Sequence, residues 1–184
     1  ESTIIIFYKY TRVDDPTGFV AWVRKQCEEI GIFGRILIAH EGINGTVEGT
    51  AAQIADFEAR LHAQNGSAGT FGDFSDVWFK ASPGTGTAFK KLKVKVRNEI
   101  VATGLKSDED IDPSKVTGTH IDPQELKSWI DNGDDFAIVD MRNDYEFAVG
   151  HFAGSIDPGM GNFRDLKTVV PKLEHLKGKK VLTV

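Results

Sequence analysis

The amino-acid sequence predicts two consecutive domains. The first is an α+β domain with the element order βαββαβ, and the second is the front part of an α/β domain with a parallel sheet. Residues 4–101 interleave strand-like runs with two capped amphipathic helices, whereas 137–139 and 181–184 are short apolar runs typical of buried parallel strands. An acidic, proline-containing stretch lies between these regions. We therefore place the first domain at residues 1–105, a linker at 106–118 and a truncated second domain at 119–184.

Local signals define the first-domain elements. Residues 4–10 are β-branched and aromatic, which predicts a strand. Asp15 and Pro16 begin a helix that ends at Gly31. Strands at 33–39 and 46–48 form a hairpin around a turn at 40–45, and a Thr50 capping box opens the second helix. Strands near 77–79 and at 92–101, with a loop at 82–87, complete a ferredoxin-like order.

The last strand of this domain is the most charged part of the chain. Its alternation is predicted to send one set of cations to one face: Lys91, Lys93, Lys95 and Arg97. Such a stripe could follow a phosphate backbone, and Arg35, Tyr8 and Asn44 could add charge, stacking and hydrogen bonds on the same domain. The alternative is a solvated edge strand that its lysines protect from aggregation.

Composition limits the function classes. The net charge is −5, and residues 1–105 are balanced, with 12 Lys+Arg and 12 Asp+Glu, whereas residues 106–184 have 10 and 15. The whole chain is therefore not a globally basic nucleic-acid binder. Cys27 is the single cysteine, so no internal disulfide forms, and its helical spacing predicts a core thiol rather than a nucleophile. With no membrane-spanning run and no visible signal peptide, we expect a cytoplasmic protein.

The second domain is organised around residues 137–156. The apolar strand at 137–139 ends at Asp140, and Asn143 with Glu146 opens a short helix that ends at Gly150. Asp140 and Arg142 are thus placed on a strand-to-helix loop, where open α/β sheets carry their sites. The spacing of Arg142 and Glu146 predicts that these two side chains pair.

This segment resembles the first signature of the rhodanese domain. The matching residues are Asp140, Arg142, Glu146, Phe147, Gly150, His151, Phe152, Gly154 and Ser155. The resemblance implies a catalytic cysteine on the loop after the next core strand, which we expect just after Val184, with Asp140, Arg142 and His151 supporting that loop. For His151 the alternative is a structural bond to a carbonyl group. Pro158 comes earlier than the rhodanese pattern has it, which leaves the local turn open.

The two halves together resemble the bacterial rhodanese-containing tRNA uridine hydroxylases. The motifs that carry this likeness are FYKY at 7–10, FGR at 33–35, HEGING at 40–45, KVKVR at 93–97 and DMRN at 140–143. The resemblance implies oxygen-dependent conversion of the wobble uridine of tRNA to 5-hydroxyuridine, with the anticodon arm of tRNA and molecular oxygen as partners. It implies no metal and no cofactor, and it leaves the oligomeric state open.

Three alternatives remain at this point. The turn at 44–49 is similar to that of acylphosphatases, with Asn44 to orient water and Arg12 to hold phosphate, although Asp14 and Asp15 would repel phosphate. A second alternative is a rhodanese-type sulfurtransferase or persulfide carrier that uses the same expected cysteine. A third is a non-catalytic RNA-binding module in the first domain.

Overall fold

The computed structural model describes residues 2–103 and 117–184. The chain divides into two compact units, Glu1–Val101 and Ala102–Val184. Most of the predicted linker, residues 106–116, lies outside the described residues. In the described parts, no helix has the length and apolar character needed to cross a membrane.

The first unit is a five-stranded sheet with two helices. Its elements are β1 Ser2–Tyr10, α1 Pro16–Ile30, β2 Phe33–Ala39, β3 Gly42–Thr50, α2 Ala51–His62, β4 Phe79–Gly84 and β5 Leu92–Val96. The strand order is β4-β1-β3-β2-β5. The first four strands are antiparallel, and β5 adds to the edge of β2 in parallel. This is the predicted ferredoxin-like α+β arrangement, with five strands in one sheet.

α1 begins and ends, and α2 begins, where their caps predict. The Asp15 carboxylate accepts from the Gly18 amide at 2.9 Å, and Gly31 ends α1 in the left-handed region with φ 83°. Thr50 and Gln53 form the predicted capping box of α2. The apolar stripes of both helices pack against one face of the sheet in a single core. Among the described residues of the first unit, no helix covers the opposite face of the sheet.

Three predicted strand boundaries were wrong. β3 begins at Gly42 rather than at residue 46, because the turn comprises only residues 40 and 41. β4 runs through residues 82–84, which were predicted as a loop, and it tolerates Pro83 because it is an edge strand. β5 ends at Val96 rather than at residue 101, since the backbone of Ile100 is bound by side chains instead of a strand partner.

The second unit contains a small parallel sheet. Its elements are α3 Pro123–Asn132, β6 Ala137–Val139, α4 Asp144–Val149, a 3-10 turn at Phe163–Asp165, α5 Leu166–Val169, a 3-10 segment at Val170–Leu176 and β7 Val181–Thr183. β6 pairs in parallel with β7, and Ile156 forms a parallel bridge to Val139 on the other side. This parallel pairing agrees with the predicted α/β class of the second domain.

One apolar residue of α3, Ile130, is 54% exposed. It lines an open pocket of about 620 Å³ together with Phe136, Phe152, His175 and Leu176. The side chain therefore faces a cleft of the second unit rather than a packed core.

Candidate functional site

The uncovered face of the first sheet collects the predicted RNA-binding residues. Because side chains alternate along a strand, the positions between the core residues point away from the helices. We call this surface the open face and define it by Ile6, Tyr8, Tyr10, Arg35, Leu37, Asn44, Thr46, Lys80, Lys93 and Lys95. Strand pairing thus brings together residues that lie far apart in the sequence.

The register of the strands sets the neighbours on this face. One row across the sheet consists of Lys80, Ile6, Thr46, Arg35 and Lys93. A second row consists of Tyr8, Asn44, Leu37 and Lys95. The alternation predicted for β5 holds for Lys93 and Lys95, while Lys91 and Arg97 are exposed positions that flank the strand. Cations therefore line the β5 edge, and Lys80 adds one at the β4 edge.

Aromatic and aliphatic surface lies between these cations. Ile6 is 48% exposed and Tyr8 is 57% exposed. The Tyr8 and Tyr10 rings meet edge to face, with 6.5 Å between centroids. The sequence predicted Tyr8 as part of this site but not Ile6 or Lys80, because only the pairing of β1 with β3 and β4 places them in one row with Arg35.

A buried carboxylate closes one end of the open face. Glu48 is 4% exposed and accepts from the backbone amides of Gly86 (2.6 Å) and Ala88 (2.8 Å) and from the Ser2 hydroxyl (3.0 Å). Burial raises the pKa of the Glu48 carboxyl, but these donors outweigh burial and hold the pKa below its usual value. Glu48 thereby fixes the segment that connects β4 at one sheet edge to β5 at the other.

The HEGING motif closes the other end. The Ile100 amide donates to Glu41 Oε1 at 2.6 Å, and Asn44 Nδ2 donates to the Ile100 carbonyl at 2.9 Å. His40 Nδ1 bonds the Val13 carbonyl at 2.9 Å. The motif thus ties the chain that leaves β5, and the loop after β1, to the hairpin turn.

These contacts weigh against the acylphosphatase alternative. Asn44, which would orient a water molecule, donates a hydrogen bond from Nδ2 to the Ile100 carbonyl. Arg12, which would hold phosphate, donates from Nε to Asp14 at 2.7 Å on the exposed surface. Both groups have hydrogen-bond partners within the protein, which does not favour the predicted phosphate-binding role.

In the second unit, Asp140 and Arg142 form a bidentate pair at the end of β6. Arg142 Nε donates to Asp140 Oδ1 at 2.9 Å and Nη2 to Oδ2 at 2.6 Å. The hydrogen bond from the Arg142 side chain lowers the pKa of the buried Asp140 carboxyl, although burial opposes it, and His151 acts in the same direction as Arg142. We call the group of Asp140, Arg142, Gly150 and His151 the Asp140 rim.

The predicted pairing of Arg142 with Glu146 was wrong. Arg142 also donates to the Gly150 carbonyl at 2.8 Å, while the Glu146 carboxylate accepts from Asn143 through its amide (3.2 Å) and its Nδ2 (2.8 Å). Because residue 142 precedes the helix, the helical i, i+4 geometry does not apply to it. Arg142 instead joins the end of β6 to the end of α4.

His151 makes the structural contact that was the alternative to a catalytic role. Its Nδ1 lies 2.9 Å from the Phe147 carbonyl, and its ring stacks on Phe147. Since a carbonyl only accepts, Nδ1 carries the proton, and Nε2 is the acceptor in the neutral ring. Arg142, Gly150, His151, Phe152 and Val184 line an open pocket of about 260 Å³.

Cys27 is buried in the core of the first unit, as its spacing predicted. Burial, with a smaller contribution from Glu28, raises the pKa of its thiol to about 12. A thiol with this pKa is almost fully protonated at neutral pH and is a poor nucleophile. Among residues 2–103 and 117–184, no three His, Cys, Asp or Glu side chains are grouped to hold a metal ion.

Fold and site together define an acylphosphatase-like α+β unit with a cationic sheet face, followed by a small parallel sheet. Residues 2–100 match the family model described as UPF0176 acylphosphatase like domain, and the chain belongs to this family.

Curated relatives extend the likeness into the second unit. A protein of Staphylococcus haemolyticus named tRNA uridine(34) hydroxylase is 40% identical over 181 residues, which is 98% of this chain and 53% of the relative. A protein of the same name from Oceanobacillus iheyensis is 38% identical over 184 residues, 100% of this chain and 54% of the relative. The chain spans about half the length of the curated relatives it matches.

Two solved structures are similar at low identity. An acylphosphatase from Coxiella burnetii is 18% identical, with a TM-score of 0.40 over 51% of this chain and 92% of its own. The BLUF protein BlrB is 16% identical, with a TM-score of 0.41 over 52% of this chain and 71% of its own. The fold assignment is based on the family match and the strand topology.

Proposed function

We propose that the full-length protein hydroxylates the wobble uridine of certain tRNAs to 5-hydroxyuridine in the cytoplasm, with molecular oxygen as the oxidant. The observation that carries this proposal is the identity of 38–40%, across almost the whole chain, with relatives named tRNA uridine(34) hydroxylase. The cationic open face supports it independently, because an RNA partner brings the negative charge that this surface lacks.

The two units have different roles, tRNA binding and catalysis. The first unit binds the anticodon arm of tRNA through the predicted residues Lys91, Lys93, Lys95, Arg97, Arg35 and Tyr8, whereas Asn44, which was also predicted, holds the Ile100 carbonyl. The second half of the chain carries 10 basic and 15 acidic residues, so it repels an RNA backbone and serves chemistry rather than capture. A wobble base is already unpaired in its loop, so presenting it to a catalytic site costs little.

The Asp140 rim supports the catalytic loop. Arg142 connects β6 to the end of α4, and Asp140 holds Arg142 through its side chain and its backbone amide. We propose that the reactive cysteine lies beyond Val184 in a rhodanese-like domain of which residues 119–184 are the first part, with residues 106–118 as the linker. The greater length of the relatives and the inertness of Cys27 support this arrangement.

The proposal is tested in a bacterial strain that lacks the gene. Bulk tRNA is digested to nucleosides and 5-hydroxyuridine is measured by mass spectrometry, with and without a plasmid that encodes the full-length protein. We expect the nucleoside to appear only with the plasmid and only in aerated cultures. Thiosulfate sulfurtransferase activity of the purified protein without any 5-hydroxyuridine in the cells would favour the sulfurtransferase alternative instead.

A further inference from the structure

The open face combines exposed apolar surface with cations at both edges. Ile6 and Tyr8 on β1 are about half exposed, and Tyr10 adjoins Tyr8. Exposed apolar and aromatic side chains on an interior strand lose contact with water only when a partner covers them, which favours burial by a ligand. The surface of β1 is therefore suited to flat, uncharged groups.

The cations on this face indicate that the partner also carries anionic groups. Arg35 and Lys93 are register partners, Lys95 lies one pleat further along β5, and Lys80 lies at the β4 edge of the same row. With strands about 4.8 Å apart, the row from Lys80 to Lys93 spans about 19 Å across five strands. A partner with anionic groups outside and flat rings inside matches this pattern, and unpaired RNA has that form.

The two closed ends limit how such a partner lies. Glu48 fixes the segment at Gly86 and Ala88 at one end, and Asn44 holds Ile100 at the other. The accessible track consequently runs across the strands, from the β4 edge over Thr46 to the β5 edge. An RNA duplex cannot place its bases on such a surface, because they are stacked inside the helix.

We propose that the open face binds an unpaired RNA segment, with one base stacked on Tyr8 and phosphates on Arg35, Lys93 and Lys95. It distinguishes unpaired loops from stems by stacking, in the way that RNA-recognition sheets stack two or three bases. The inference deepens the proposed function, on which it rests for RNA as the partner, and assigns the loop rather than the stem of the anticodon arm to this surface.

The experiment uses the full-length protein and two labelled RNAs, a hairpin with an unpaired loop and a blunt duplex of the same stem. Fluorescence anisotropy gives both affinities for Tyr8→Ala, Tyr8→Phe and Lys93→Glu. Lys25→Glu is the control, because Lys25 is an exposed lysine of α1, on the helix side of the sheet. Circular dichroism checks that each variant is folded.

We expect Tyr8→Ala to weaken hairpin binding roughly ten-fold and duplex binding less than two-fold, since one stacked base is lost. Tyr8→Phe keeps the ring and should stay within about two-fold for both RNAs. Lys93→Glu should weaken both, because it removes a phosphate contact, whereas Lys25→Glu should change neither affinity.

Equal effects of Tyr8→Ala on hairpin and duplex would overturn the stacking proposal. The proposal would also be overturned if Tyr8→Ala left hairpin affinity unchanged but altered the sedimentation of the protein. That result would mean that another part of the chain or a second copy of the protein covers the open face. Wobble-uridine hydroxylation in cells is scored separately. The binding inference can therefore fail while the proposed function stands, and the proposed function can fail while the binding inference holds.

Discussion

Arg35 and Lys93 are direct partners in the parallel pairing of β2 with β5, so two cations stand side by side on the open face. Like charges at opposed positions of a sheet are destabilising. A polyanionic ligand that bridges both cations would offset this repulsion.

This relationship gives a prediction in which stability and binding move in opposite directions. Lys93→Glu replaces a repulsive neighbour of Arg35 with an attractive one, so we expect urea unfolding to require roughly 0.2–1 kcal/mol more free energy. The same variant of the full-length protein should bind tRNA more weakly. A loss of both stability and affinity would indicate that Lys93 is a structural residue and not a ligand contact.

Salt dependence tests the same stripe more strictly. In the full-length protein with both Lys93→Glu and Lys95→Glu, the slope of log affinity for tRNA against log salt should fall by about one unit for each lost phosphate contact. Binding is titrated between low and physiological salt, with Lys25→Glu as the matched charge reversal on α1. An unchanged slope would favour the alternative that β5 is an edge strand protected by its lysines.

Arg142 should separate catalysis from capture. In the full-length protein, Arg142→Ala removes the link between Asp140 and the Gly150 carbonyl and leaves the Asp140 carboxylate buried without its partner. We expect tRNA affinity to stay within a few-fold, while the fraction of tRNA that carries 5-hydroxyuridine in complemented cells drops strongly. Lys95→Glu should weaken tRNA binding and leave turnover at saturating tRNA intact. A large loss of tRNA affinity in Arg142→Ala, with normal turnover at saturating tRNA, would refute this division of roles.

The thiol of Cys27 should be unreactive in the folded chain. Because burial raises its pKa to about 12, we expect no alkylation by iodoacetamide at pH 8 until urea unfolds the first unit. For the same reason the 184-residue chain alone should neither hydroxylate uridine nor transfer sulfur from thiosulfate. Activity that survives in this chain and disappears in Cys27→Ala would show that the thiol is reactive after all.

Helix boundaries were predictable because caps are local. Asp15 with Gly31 marks the two ends of α1, and the Thr50 capping box marks the start of α2, as the sequence indicated. Strand ends were less accurate, because a strand extends as far as its partner does. Tyr8 pairs with Asn44, for example, which extends β3 back through a predicted turn.

The site was only half predictable for the same reason. Alternation in β5 gives the face of Lys93, but only strand register shows that Arg35 is its neighbour and that Lys80 ends the same row. Spacing suggested Glu146 as the partner of Arg142, yet a loop residue follows loop geometry and bonds Asp140. Long-range pairing and loop geometry are not encoded in local periodicity.

The last prediction concerns the buried carboxylate that closes the open face. The pKa of Glu48 in the folded chain lies below its usual value of 4.5, since hydrogen-bond donors outweigh the opposing effect of burial. A group with a lowered folded pKa contributes stability above its unfolded pKa, and this contribution is lost as the pH falls through the folded pKa. Glu48→Gln should therefore be less stable than the parent at pH 7, and the two should converge as the pH falls below about 4.5.

Urea unfolding is followed by fluorescence in a Trp129→Phe background, where Trp22 and Trp78 report on the first unit alone. Glu28→Gln, at an exposed position of α1, is the matched control for the substitution itself. A Glu48→Gln difference that persists unchanged at pH 3 would show that the lost stability comes from packing of the side chain and not from its charge.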